Sequence, residues 1–241
     1  MKARPIIFSS TMVRALLEGR KGQTRRVAKL PRESSLGEWQ ASMLGGLGVR
    51  TSKGVEIPEH PVLWHTRTGK VVGCPYGKPG DLLWVRETIT TRDRHEDGLR
   101  YDEPFYRADM DSYGLCFVTD EGARYVEDLR WTPAIHMPRW ASRLTLRITD
   151  VRVQRLLEIS EADAQAEGVE KPVNEPAISA ALMRAFGPDS AIKFEPYGSA
   201  FAQLWDSING PGSSDANPWV WAITFDPILL NVDQVLEQVA A

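Results

Sequence analysis

The residues best equipped for chemistry lie in the run GRKGQTRR at 19–26, where Arg20, Lys21, Arg25 and Arg26 flank the hydroxyl of Thr24. The run belongs to a basic N-terminal segment. Among residues 1–30 eight cations stand against the single acid Glu18, giving +7, so the remainder of a chain of net charge −3 carries −10. A basic segment on an acidic body marks either a face that meets a polyanion or an ordinary solvated surface. On the first reading Lys21 and Thr24 sit in a loop that touches phosphate.

Other chemistry-bearing residues lie further along. Glu167 falls in the last turn of a helix expected over SEADAQAEG, immediately before a Gly168 stop. The helix dipole disfavours a carboxylate there by roughly several tenths of a kcal/mol. Such a broken local rule marks a functional site or a tolerated surface glutamate. Trp84 and Arg86 share a strand face. There Trp84 stacks a base and Arg86 meets a phosphate or base edge, or Trp84 is core and Arg86–Glu87 is ordinary strand surface. Core positions are expected for Trp84, Trp205 and one of Trp219 or Trp221. Arg143 lines a site or pairs with an acid.

Metal chemistry finds no ligand set. His60, His65, His95 and His136 are scattered, Cys74 and Cys116 stand outside any CxxC pair, and the HxE…PCxxC signature of zinc deaminases is missing. The IHMP segment around His136 reads as a structural turn. GxGxxG and GxxxxGK[ST] are missing too. No metal and no cofactor are expected.

The elements that must position these residues follow from composition and pattern. With 241 residues and 42% apolar content, the chain fits one domain with insertions and a sizeable core. No apolar run approaches the roughly 20 residues of a membrane span, and MKARPIIFSS lacks a signal-peptide core, so a cytoplasmic protein is expected. Pro5 to Ser9 reads as a strand. A helix follows to about Glu18, capped by Ser9, Ser10 or Thr11, stopped by Gly19, and buried through Met12, Leu16 and Ala15. Leu82–Thr88 reads as a strand after the Pro79–Gly80 turn. Arg143–Leu156 alternates, with a turn or bulge at Asp150 switching its register. Ser160 and Asp163 have capping-box spacing. Tyr197–Ile208 is an amphipathic helix using Phe201, Leu204, Trp205 and Ile208, and PWVWAITF is a closing strand. Residues of about 31–73, 89–130 and 170–196 read as insertions. The first has marginal local structure, the second short strands, and the third a helical patch at Ala177–Phe186. A peripheral helix is expected within 228–241.

Four stretches together resemble one family: GRKGQTRR, PGDLLWVRET at 79–88, IHMPRWASRLTL at 135–146 and NPWVWAITF at 217–225. The G-x-K-x-x-T-x-R pattern followed by PGD and W-x-R-E is similar to ASCH domains, and IHMPRWASR with LWDSING resembles their longer phage and prophage branch. The likeness runs from about residue 4 to 226, weakest in the insertions at roughly 31–73 and 89–130. It implies an α+β, PUA-like mixed β-barrel with short flanking helices and long loop insertions, in a family whose members handle RNA or modified nucleosides.

A branch of that family hydrolyses the acetyl amide of N4-acetylcytidine with a Lys, Thr and Glu constellation. The resemblance places that lysine on Lys21, the threonine on Thr24 and the glutamate on Glu167, the last through the A-x-x-E of Ala164 to Glu167. Thr24 is then the nucleophile and Lys21 its base, with Glu167 orienting the lysine or accepting a proton. To act near neutral pH, Lys21 must come down by roughly three pH units from ~10.4, about 4 kcal/mol. Burial and the like charges of Arg20, Arg25 and Arg26 push that way, and an ionised Glu167 pushes back. Three functions stay open: an amidohydrolase of N4-acetylcytidine or a related modified nucleoside, a non-catalytic RNA-binding module using Arg20, Arg25, Arg26, Trp84, Arg86 and Arg143, or a ribonuclease.

Overall fold

The computed structural model describes residues 1–32, 36–90, 104–110, 115–119, 122–125, 131–170 and 196–240. The helical patch expected at Ala177–Phe186, and His95, lie outside these residues. Among the described residues the chain forms twelve strands: β1 (Ala3–Ile7), β2 (Gln23–Val27), β3 (Trp39–Leu44), β4 (His60–His65), β5 (Val71–Gly73), β6 (Leu82–Arg86), β7 (Ile89–Thr90), β8 (Phe105–Tyr106), β9 (Leu115–Thr119), β10 (Gly122–Tyr125), β11 (Thr145–Arg155) and β12 (Trp219–Ile228). Its α-helices are α1 (Ser10–Leu17), α2 (Glu161–Ala166), α3 (Pro196–Asn209) and α4 (Val232–Ala240). The class is α+β, as the sequence implied. Among the described residues no strand order closes into a barrel, and no helix is long and apolar enough to cross a membrane.

The chain, expected as one domain with insertions, groups into two compact units. The first holds Met1–Gly19, Gly80–Ile148 and Asp226–Ala241, the second Arg20–Pro79 and Thr149–Phe225. In the first unit β1 lies parallel to β6, Ala3 opposite Leu82 and Ile7 opposite Arg86, and β6 runs antiparallel to the start of β11. The Ser9 hydroxyl accepts from the Met12 amide to begin α1, and Gly19 adopts φ +71° just past its end. The buried face of α1 is Val13, Ala15 and Leu16. Met12, expected inward, is only half-buried, because Val13 and Leu16 form the i, i+3 pair that meets the core. The C-terminal helix is more than peripheral. Val232 and Val235 of α4 pack with Leu82 and Trp84 in one buried cluster, and each such valine contributes roughly 1.5–3 kcal/mol.

In the second unit β2 is antiparallel to β12, from Gln23 opposite Thr224 to Val27 opposite Val220, and the strand order runs β11-β12-β2. Strand β11 passes Asp150 without a break. Its buried positions change parity there, from Leu146 and Ile148 to Val151, which is the expected register switch. Helix α3 buries Phe201 and Trp205 against Leu156, Ala164 and Val220. Ile208, expected on that face, is exposed in the last turn. Helix α2 spans six residues, too few to persist alone, and its Ala164 is buried in that same cluster.

The segment 31–73 departs most from expectation. Instead of marginal structure it contains an antiparallel sheet in the order β3-β4-β5, with Trp39 opposite His65 and Trp64 opposite Val71. Val62, Leu63 and His65 of β4 supply its buried residues. The His65 imidazole accepts from the Thr68 amide and meets the Trp39 ring edge-on at 5.2 Å. Strand β3 is almost wholly exposed, so it lacks the alternation by which a strand is recognised.

Candidate functional site

The basic run and the end of α2 meet inside the second unit. Lys21 and Glu167 form an isolated antiparallel bridge, and the Gly22 amide donates to the Ala166 carbonyl at 2.9 Å. The end of α2 therefore covers the chain as it enters β2, at the edge of the β11-β12-β2 order. The helix is placed there by its own signals. The Ser160 hydroxyl accepts from the Asp163 amide at 3.1 Å, and Gly168 at φ +82° ends the helix with Glu167 at its C-cap.

The Lys21 side chain, fully enclosed, donates from Nζ to the Glu167 carbonyl at 2.7 Å and to Glu167 Oε2 at 2.9 Å. The first bond satisfies a helix-end carbonyl that has no partner within the helix. Arg25 Nη1 donates to Glu167 Oε1 at 3.0 Å and to Gln23 Oε1 at 2.6 Å, and Nη2 donates to Asp163 Oδ2 at 3.1 Å. Asp163 Oδ1 accepts from Gln23 Nε2 and from Arg152 Nη2, each at 3.1 Å. Glu167 thus has the compensation that its position against the helix dipole requires.

The competition over Lys21 resolves downward. Burial pushes its ammonium below the ordinary 10.5, Glu167 opposes, and the charges of Arg26 and Arg25 add to the lowering. Burial would raise the Asp163 carboxyl, but the bonds from Arg152 and Gln23 hold it below the ordinary carboxylate range.

Thr24 is buried opposite Ile223 of β12. Strand alternation places Thr24 and Arg26 on the face opposite Gln23 and Arg25. Arg26 is half-buried. Arg20 is exposed and donates to the Gly168 carbonyl at 3.0 Å. Arg25 corrects the expectation of an RNA-contacting cation. Its side chain is 0% exposed, and its guanidinium faces two carboxylates and, at 5.7 Å, the Phe201 ring. Asp163, Gln23 and Arg152 were not singled out for the site from sequence, where Asp163 counted only as a capping residue. The i, i+2 spacing of Gln23 and Arg25 was the available signal.

Trp84, Arg86 and Arg143 belong to the other unit. Trp84 is core, packed with Leu82, Val232 and Val235, which removes it as a base-stacking platform. Arg86 donates to the Ile135 carbonyl and lies 5.5 Å from the Trp84 ring, tying the IHMP turn to β6. Arg143 takes the acid-pairing alternative. It donates to Glu87 at 3.0 and 3.1 Å and to Asp109 at 2.7 and 2.8 Å, and its guanidinium lies 3.8 Å from the Tyr106 ring centroid. Burial pushes the Glu87 carboxyl up despite Arg143. Among the described residues no three His, Cys, Asp or Glu side chains cluster as a metal site. Comparison with protein-family models, with curated proteins and with solved structures found no match.

Proposed function

We propose that the chain is a metal-independent amidohydrolase of the PUA-like, ASCH type, acting on N4-acetylcytidine or a related modified nucleoside. The observation that carries this reading is the enclosed Lys21–Glu167 pair, with the lysine held below its ordinary titration. A lysine lowered by burial is suited to general-base work near neutral pH. Thr24 Oγ attacks the acetyl carbonyl carbon, and its proton passes to the neutral Lys21 amine. Collapse of the tetrahedral intermediate breaks the C–N bond, and Lys21 returns the proton to the departing exocyclic nitrogen. Water then hydrolyses the acetyl-threonine ester, releasing acetate and restoring the hydroxyl. Glu167 orients the amine through both its carboxylate and its carbonyl. The RNA-binding alternative is weakened by the enclosure of Arg25 and of Trp84, two of its expected contacts.

The test is release of cytidine from N4-acetylcytidine by the purified chain, followed by chromatography. Turnover that disappears in folded Thr24→Ala and Lys21→Ala is expected. No turnover, or turnover indifferent to both substitutions, removes the proposal.

A further inference from the structure

The edges of the sheets are protected unequally. A strand edge offers unpaired N–H and C=O groups to other strands, and folded chains blunt it with charge, proline, brevity or a covering element. Strand β1 carries Arg4 and Pro5, the end of α2 covers the chain entering β2, and β5 is three residues long. Strand β3 has none of these. Its sequence WQASML holds no charge, no proline and no glycine, and every residue from Gln40 to Leu44 is exposed. Among the described residues it pairs with β4 alone.

The ladder fixes which backbone groups of β3 face outward. The Thr66 amide donates to the Glu38 carbonyl at 2.9 Å, and the Glu38 amide donates to the Thr66 hydroxyl at 3.0 Å. Glu38 thus turns its backbone towards β4, and antiparallel alternation gives the same direction to Gln40, Ser42 and Leu44. The N–H and C=O groups of Trp39, Ala41 and Met43 point away from β4. Gly45, at φ +98°, ends the run.

These outward residues are spaced evenly about Ala41, and so are the side chains. Turned about a twofold axis through Ala41, perpendicular to the sheet, the strand matches its own reverse. Trp39 falls opposite Met43, Gln40 opposite Ser42, and Ala41 opposite Ala41. Directly opposed residues of an antiparallel pair interact. Here they are a thioether against an indole, which attract, a polar pair, and two small residues at the crossing. Every outward N–H and C=O finds a partner. An axis one residue either way leaves Trp39 or Met43 opposite a residue outside β3.

We propose that β3 is a self-association edge: two copies of the chain pair antiparallel through Trp39–Met43 about an axis at Ala41, joining two three-stranded sheets into one. A strand of another protein would need only the open edge, whereas the match of β3 with its own reverse selects a second copy. The pairing occupies the edge on both chains, so assembly closes at the dimer. One strand pair lies below the roughly 1,200–2,000 Å² of stable complexes, so the dimer should be reversible, with a Kd on the order of 10–100 µM. Nothing in this inference depends on the hydrolase reading.

The experiment is sedimentation velocity of the full chain from about 1 µM to about 1 mM, which brackets that range. Wild type should pass reversibly from monomer to dimer mass. Ala41→Lys sets two like charges face to face at the axis and should weaken the dimer about fivefold, as should Ala41→Glu. An equimolar mixture of the two should recover wild-type association, because each lysine then faces a glutamate. Ala41→Pro removes both central donors without touching the β4 ladder, and should raise Kd at least about tenfold. Circular dichroism checks folding. Should Ala41→Pro not fold, the two charge variants decide, since their side chains extend from an exposed position. A chain that stays monomeric throughout overturns the proposal, as do open-ended oligomers or a dimer indifferent to the charge variants and their mixing.

Discussion

Lys21 and Glu167, 146 residues apart, are joined through backbone and side chain at once: a bridge between their main chains, Nζ on the Glu167 carbonyl at 2.7 Å, and Nζ on its carboxylate at 2.9 Å. The pair is not symmetrical in what its loss would cost. Removing the Glu167 carboxylate takes a bonded anion from Lys21 and Arg25 together, whereas removing Lys21 leaves Glu167 its bond from Arg25.

Glu167→Gln should therefore destabilise far more than Lys21→Met. An uncompensated buried charge costs about 3–5 kcal/mol, while exchange of a buried ionisable group for an apolar one of similar volume is frequently near neutral. Urea denaturation of both variants checks the order. Equal losses, or a larger loss for Lys21→Met, would mean that Arg25 does not sustain Glu167.

The lowered Lys21 also gives stability a pH dependence of definite sign. Between its folded value and the ordinary 10.5 of the unfolded chain, the unfolded state binds more protons at this position. Stability contributed by Lys21 should then rise with pH across that window, with a slope of at most about 1.4 kcal/mol per pH unit. Denaturation of wild type and Lys21→Met from neutral pH to 10 isolates the contribution. Wild type should gain on the variant as pH rises, and a falling difference would show an ammonium stabilised by Glu167 rather than lowered by burial.

What the sequence made legible was local. Ser9 with Gly19 and Ser160 with Gly168 bracket their helices because capping and positive φ are decided by residues a few positions apart. The contents of the site depend on long-range pairing. A basic run read by composition is a surface, and nothing within GRKGQTRR tells that Arg25 is enclosed by Asp163 and Glu167 from α2 while Arg20 remains exposed. Trp84 could be read either way, since a tryptophan beside an arginine suits both a core and a stacking platform. Packing against Val232 and Val235 of a distant helix decided it.

Arg143 should be the main support of the buried Glu87 in the first unit. Arg143→Ala leaves an enclosed carboxylate without its bidentate partner and should cost about 3–5 kcal/mol. Glu87→Gln added to Arg143→Ala should recover much of that loss. The sign with pH is opposite to that of Lys21. A carboxyl raised above its ordinary 4.5 in the fold binds more protons folded than unfolded, so its contribution to stability falls as pH rises through the window above 4.5. That fall should steepen in Arg143→Ala. Denaturation from pH 4.5 to 7 reads it, and a double variant no more stable than Arg143→Ala would rule out Glu87 as the source of the loss.

The turn joining β3 to β4 offers a sharper contrast between two glycines. Gly45 sits at φ +98°, where an added Cβ would lie 2.4 Å from the Pro58 carbonyl oxygen, while Gly54 at φ +78° has open space around it. Alanine at either position pays for left-handed backbone, about 1–2 kcal/mol. At Gly45 the main chain of Pro58 must also move, and with it the adjacent bond from the Gly46 amide to the Ile57 carbonyl at 2.9 Å. Gly45→Ala should accordingly speed hydrogen exchange at Gly46 by more than the roughly tenfold that backbone strain alone gives, and Gly54→Ala should leave that amide close to wild type. Comparable exchange at Gly46 in the two variants would mean that the close approach of Gly45 to Pro58 does not hold the sheet in register.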